Sequence, residues 1–156
     1  MNVEVIIVTN HHCDPREARA LKTYVKLMRA TESMTARAHR QLSTFGLTFS
    51  QFGVLEALYH LGPMSQSEIG QKILRSSGNM TMVIDNLEKR RLVRRERHRA
   101  DRRFFIIHLT GEGKKLISSI FPSHAAEIAS QLDVLTPAEQ QTLGKLCKKL
   151  GLKGRC

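Results

Sequence analysis

The sequence predicts a mainly α-helical chain with one short β-hairpin, and three observations lead there. Four segments open with a capping residue followed three positions later by Glu or Gln, the reciprocal arrangement that starts helices. Apolar residues in the first helix recur at three- and four-residue steps. Only between Leu92 and Leu109 does the pattern change, to short runs rich in Val, Ile and Phe. The 156 residues suffice for one domain with a proper core and are too few for two independent ones.

Taken in order, the opening VEVIIV (Val3 to Val8) reads as a loose strand or an ordered arm. It lacks a basic region and a small-residue cleavage site, so it is not a signal peptide, and no window has the apolar length of a membrane span. Asp14-Pro15-Arg16-Glu17 opens a helix over 15–44, with Leu21, Val25, Met28, Thr35, Ala38 and Leu42 along one stripe. Such length in a small chain suggests an interface helix. Thr48-Phe49-Ser50-Gln51 opens a helix over 49–61, which HLGPM (His60 to Met64) then breaks. Ser65-Gln66-Ser67-Glu68 opens one over 66–73, and Thr136-Pro137-Ala138-Glu139 one over 137–150. Proline at the first helical position suits the first and last of these. Helices over 78–90 and over two halves of 113–132, with Pro122 as a kink or a bend, carry weaker caps. LVRRER and RFFIIHL, separated by the polar HRAD, read as an antiparallel hairpin.

Charge narrows the partner. The net charge is +11 and the pI about 10.1, which favours a polyanion, nucleic acid or an anionic membrane surface. Between Glu88 and Arg103 nine Lys/Arg face three acids, so +6 lies in sixteen residues. Cys13, Cys147 and Cys156 are odd in number, far apart and without CxxC spacing, which argues against a disulfide scaffold or structural zinc and fits a reducing cytosol.

Residues 65–110 form a unit: a short helix, the turn LRSSG, a second helix NMTMVIDNLEKRR, then strand, basic loop and strand. A helix-turn-helix sets the N-terminal residues of its second helix against base edges, and that helix end also favours phosphates. Ser76, Ser77, Asn79, Thr81 and Met82 lie there, while Met80, Val83, Ile84 and Leu87 should face the core. Any single polar residue among them is equally well read as solvated surface. An arginine at the hairpin tip suits a narrow minor groove. Arg94, Arg95, Arg97 and Arg99 alone would be read as a charged face; attached to a helix-turn-helix, the run reads as a second DNA contact.

From about Thr23 to Leu150 the chain resembles the MarR family of bacterial winged helix-turn-helix regulators. The match is carried by Leu47 to Ile73, Ser76 to Arg97 and DRRFFIIHLTGEG, in which Asp101, Arg103, Leu109, Thr110 and Gly113 fit the family's wing signature in register. The resemblance implies an α+β winged helix, mainly α with a small β-wing: 47–110 as winged helix-turn-helix, 14–46 and 111–151 as intertwined dimerisation helices. It implies a homodimeric repressor on palindromic double-stranded DNA, with Arg103 in the minor groove, Asp101 positioning the wing and Arg102 sharing either task. Ser76 to Met82 become major-groove contacts, supported by Gln66; Arg94 to Arg97 form a strand facing phosphates, and His98 to Arg103, Arg99 among them, the groove-entering tip. One departure is Arg91, where the family usually has Gly; a left-handed backbone there would cost roughly 1 to 2 kcal/mol.

Family members are released from DNA by small phenolic or aromatic acids or by cysteine oxidation. An effector pocket lined by Tyr24, Met28, Met34, His39 and Tyr59 follows from the resemblance, although such side chains more often form ordinary core. Cys13 precedes a helix start, which favours a reactive thiolate. The family dimer would bring Cys13 near the partner's Cys147, so a bridge between them and two inert thiols are both open readings. Metal binding at HHC is disfavoured, since three adjacent residues cannot close a tetrahedral shell. No cofactor is expected, and no GxSxG, P-loop, HExxH or paired-carboxylate pattern suggests an enzyme. The rival reading is a non-specific architectural DNA-binding protein, which the charge would serve equally.

Overall fold

A computed structural model describes residues 14–73, 77–97 and 104–152, with residues 77–79 and 152 described by backbone alone. The chain divides into two compact units, Met1–Ala36 and Arg37–Cys156. Helix α1 (Pro15–Ser43) opens on its foreseen cap. The Asp14 N–H donates to Glu17 at 3.2 Å and the Glu17 N–H returns to the Asp14 carboxylate at 2.8 Å. In the first unit Leu21, Tyr24, Leu27 and Met28 of α1 are exposed, leaving an apolar face uncovered. The last turns of α1 belong to the second unit, where Ala38 and Leu42 are buried. Gly46 ends them in the left-handed region at φ 64°, with the Leu47 N–H bonded to the Leu42 carbonyl and the Gly46 N–H to that of Ser43. That pair of bonds satisfies carbonyls a helix end leaves open, and glycine reaches the conformation without steric cost.

The second unit continues with α2 (Phe49–Leu61), β1 (Met64–Ser65), α3 (Gln66–Lys72), α4 (Ser77–Lys89), β2 (Val93–Arg97), β3 (Phe105–Leu109), α5 (Gly111–Leu132) and α6 (Pro137–Leu152). Helix α2 is buried nearly all round, at Phe52, Val54, Leu55, Ala57 and Leu58, which marks a helix inside a core rather than on its surface. Against it pack Ile69 of α3, Met80, Ile84 and Leu87 of α4, Ile107 of β3, and Ile117 and Ile120 of α5. Met80, Val83, Ile84 and Leu87 are thus core residues, as their spacing predicts. No helix among the described residues is long and apolar enough to cross a membrane.

The sheet differs from the foreseen hairpin. It has three antiparallel strands in the order β1-β3-β2, with Met64 opposite Ile107 and Val93 opposite Leu109. The two-residue β1 follows Pro63 directly and is too short to show alternation, so only its pairing with the distant β3 defines it. The long C-terminal segment also differs: α5 runs unbroken through Pro122 rather than in two halves, and starts at Gly111, capped by Thr110.

The turn between α4 and β2 repeats the device that ends α1. The Leu92 N–H reaches the Leu87 carbonyl at 3.0 Å, and the Arg91 N–H reaches that of Glu88 at 2.8 Å. Here the left-handed residue is Arg91, at φ 58°. The Thr110 hydroxyl donates to the Arg91 carbonyl at 2.7 Å and accepts the Gly113 N–H at 3.0 Å, so one side chain caps α5 and holds this turn. A Cβ at Gly113 would overlap the Leu92 carbonyl oxygen. The Leu-Thr-x-x-Gly pattern therefore has a local meaning: threonine joins the turn to the helix, and glycine lets their backbones touch.

Candidate nucleic-acid interface

Helix α3 starts on a full capping box, in which the Ser65 N–H donates to Glu68 at 2.7 Å and the Glu68 N–H returns to the Ser65 hydroxyl at 3.3 Å. Those bonds, backbone first and hydroxyl second, hold the Glu68 carboxyl below its ordinary range. The cap sets Gln66 in the first turn of α3, facing α4, and its side-chain amide donates to the Thr81 hydroxyl at 2.7 Å. Two residues singled out separately in the sequence are thereby brought together across the helix pair. Met82, beside them, is 63% exposed, a large apolar side chain with no place in the core. Ser77 and Asn79 lie in the first turn of α4, and Ser76 lies outside the described residues.

Val93 is buried and Arg95, two residues on along the same strand face, is half-buried; Arg97 shares that face but is exposed at the strand's end, and Arg94 is exposed on the opposite face. Arg94 pairs with Glu96 at 2.7 Å, and Glu96 lies 3.5 Å from the His108 ring. Arg97 sits over the ring of Phe105, its cross-strand neighbour, at 5.7 Å. Arg95 joins α4: its guanidinium reaches Asp85 at 2.5 Å and Glu88 at 2.6 Å, and its backbone N–H donates to the other Glu88 oxygen at 3.0 Å. Arg95 is therefore engaged by α4, while Arg94 and Arg97 remain exposed. Two signals pointed to this pairing: Asp85 and Glu88 lie three apart on one helix face, and Arg95 shares strand parity with Val93. Arg99, Asp101, Arg102 and Arg103 lie outside the described residues.

The effector and redox residues expected from the sequence fall in both units. Tyr24 and Met28 are exposed and Met34 half-buried, all in the first unit. In the second, His39 lies 5.6 Å from the Phe49 ring and Tyr59 lies 5.0 Å from that of His60. Phe49 and Tyr59 are ten residues apart on α2, roughly 15 Å along its axis. Tyr59 instead lines a cavity of about 210 Å³ with Leu58, Pro63, His108, Leu109 and Lys114. Cys147 is exposed on α6 rather than partly in the core, and Cys13 and Cys156 lie outside the described residues.

One buried titratable group was not foreseen. His124 of α5 lies 4.4 Å from the Phe52 ring, with its Nδ1 3.1 Å from the Gln41 amide oxygen. Burial pushes its pKa below the ordinary 6.5, against the smaller opposing pull of Glu56 and Glu127.

A sequence profile described as the MarR family matches residues 45–103. The HTH-type transcriptional regulator MhqR of Bacillus subtilis is 36% identical over 137 residues, covering 88% of this chain and 94% of that protein. Among solved structures, AbsC, a MarR family transcriptional regulator from Streptomyces coelicolor, superposes with a TM-score of 0.81 at 25% identity. That match covers 93% of this chain and 98% of AbsC. BpsR of Bordetella bronchiseptica, whose DNA binding is regulated by 6-hydroxynicotinic acid, gives 0.77 at 27% identity over 83% of this chain and 98% of its own.

Proposed function

Because this chain belongs to the MarR family of DNA-binding transcriptional regulators, we propose that it acts as a homodimeric repressor on a palindromic operator. In this reading α4 enters the major groove and the β2–β3 wing the adjacent minor groove. The observation that carries it is the unit of α3, α4 and the hairpin, with Thr81 and Met82 exposed on α4 beside Gln66. Ser76, Ser77, Asn79, Thr81 and Met82 read base edges, with Gln66 in support; Arg94 and Arg97 face phosphate; Arg103 enters the minor groove, with Arg99, Asp101 and Arg102 in the same tip. The region 47–110 is the DNA-binding part, while 14–46 and 111–151 form the dimer.

Release from DNA is by a small aromatic acid or by cysteine oxidation. The first is supported by BpsR, whose DNA binding responds to 6-hydroxynicotinic acid. The second is supported by the exposure of Cys147 on α6, within reach of an oxidant.

A competition titration tests the core of the reading. Duplexes selected by the protein from a random library should bind at least roughly 10³-fold more tightly than unselected DNA. Equal affinity for both would replace the regulator with a non-specific architectural protein. The same assay with added hydroxynicotinate, or with peroxide on wild type and Cys147→Ser, separates the two release signals.

A further inference from the structure

Asp85, Glu88 and Arg95 together carry a net negative charge inside the most basic segment of the chain. For a DNA-facing region this is electrostatically adverse, because each carboxylate opposes phosphate and the arginine that could approach phosphate is turned inward. Their geometry gives them another task. The hairpin leaves α4 through only three residues, Arg90 to Leu92, a turn that backbone bonds and the Thr110 hydroxyl hold at the root of the strand. Arg95 adds a hold further along the strand. Its planar guanidinium takes Asp85 on one nitrogen and Glu88 on another, and the Arg95 N–H adds a third bond to Glu88, so both separation and angle are set. The Arg95 side chain is 21% exposed, while those of Asp85 and Glu88 keep 43% and 38% exposure.

We infer that Arg95, held by Asp85 and Glu88, is a positioning residue that sets the wing's angle on α4, so that the two elements meet DNA as one rigid unit. The inference rests on the reading of α4 and the hairpin as the two DNA contacts. It separates positioning from charge, because neutralising the two acids should strengthen DNA binding on electrostatic grounds and weaken it if they hold the clamp.

The test compares wild type, Arg95→Ala and the double variant Asp85→Asn/Glu88→Gln. Each is titrated at fixed salt with a duplex selected by the wild-type protein and with an unselected duplex, alongside a thermal melt. Both variants should lose about tenfold or more in affinity for the selected duplex, while affinity for the unselected duplex follows charge alone, rising for Asp85→Asn/Glu88→Gln and falling only slightly for Arg95→Ala. Combining all three changes should weaken binding no further than about twofold, since one clamp is broken only once. If Arg95→Ala does not fold, Arg95→Lys replaces it: a point charge cannot hold two carboxylates at a fixed angle, so the loss persists. Binding of the selected duplex by the Asp85→Asn/Glu88→Gln protein as tightly as by wild type, or more tightly, overturns the inference. So does a parallel loss on both duplexes that follows the melting temperature. Failure of the wild type itself to select any duplex would strike the DNA reading, a result distinct from either.

Discussion

A side chain with a Cβ in the left-handed region is an uncommon way to end a helix, and Arg91 holds that position at φ 58°. Two backbone bonds and the Thr110 hydroxyl hold it there, so the surrounding contacts compensate for a local strain of roughly 1 to 2 kcal/mol. Arg91→Gly should relieve most of it and raise stability by about 1 kcal/mol, less what glycine adds to the freedom of the unfolded chain. A urea titration would register this as a higher midpoint with unchanged slope, whereas a lower midpoint would show that the Arg91 side chain contributes more than its backbone costs. The strain was legible in the sequence through the family resemblance, since Arg91 stands where the family usually has Gly. Arg95 was not legible in the same way. In a run of arginines, composition cannot say which one turns inward; that depends on strand parity and on acids ten and seven residues earlier on a different element.

At the scale of elements, all four capping boxes read from the sequence are present, since a cap is settled by side chains three residues apart and needs nothing distant. Strand β1 went unread for the opposite reason, being defined only by pairing with β3 some forty residues on. The packing of α5 on α2 shows the same dependence on distant partners. It is built around His124 against Phe52 and His60 against Phe121, with Gln41 at the end of α1 completing the bond to His124. Because the folded pKa of His124 lies below its unfolded value of 6.5, the unfolded chain takes up the proton first as pH falls. This contribution to stability is therefore complete above about pH 6.5 and is lost as pH drops through the folded value. His124→Phe keeps a ring against Phe52 and removes the titration. Melting temperatures followed from about pH 7.5 to pH 5 should fall less steeply for the variant, and parallel curves would show that other groups set the acid response.

At the scale of the whole molecule, an uncovered apolar surface among the described residues runs along α6, where Leu143, Leu146 and Leu150 are 40%, 54% and 60% exposed. Leu135, Ala138 and Thr142 continue the same face along an open groove of about 400 Å³. A helix whose apolar side chains meet nothing in their own chain is unstable unless a partner covers them, and the proposed homodimer supplies a second copy. Leu143→Asp combined with Leu146→Asp should convert a dimer of the 17.7 kDa chain into monomer in sedimentation velocity and weaken binding to the selected duplex by at least about tenfold. Sedimentation identical to wild type would remove α6 from the interface. The rest of the molecule can be ranked by how freely it accepts change. At Gly113 a single methyl group would strike the Leu92 carbonyl oxygen, which no alternative rotamer can relieve because the obstacle is main chain. In the proposed reading, substitutions on the outward positions of the hairpin would alter what it recognises, while this one contact holds the start of α5 against the root of the wing. The sequence can diversify its target without renegotiating its frame.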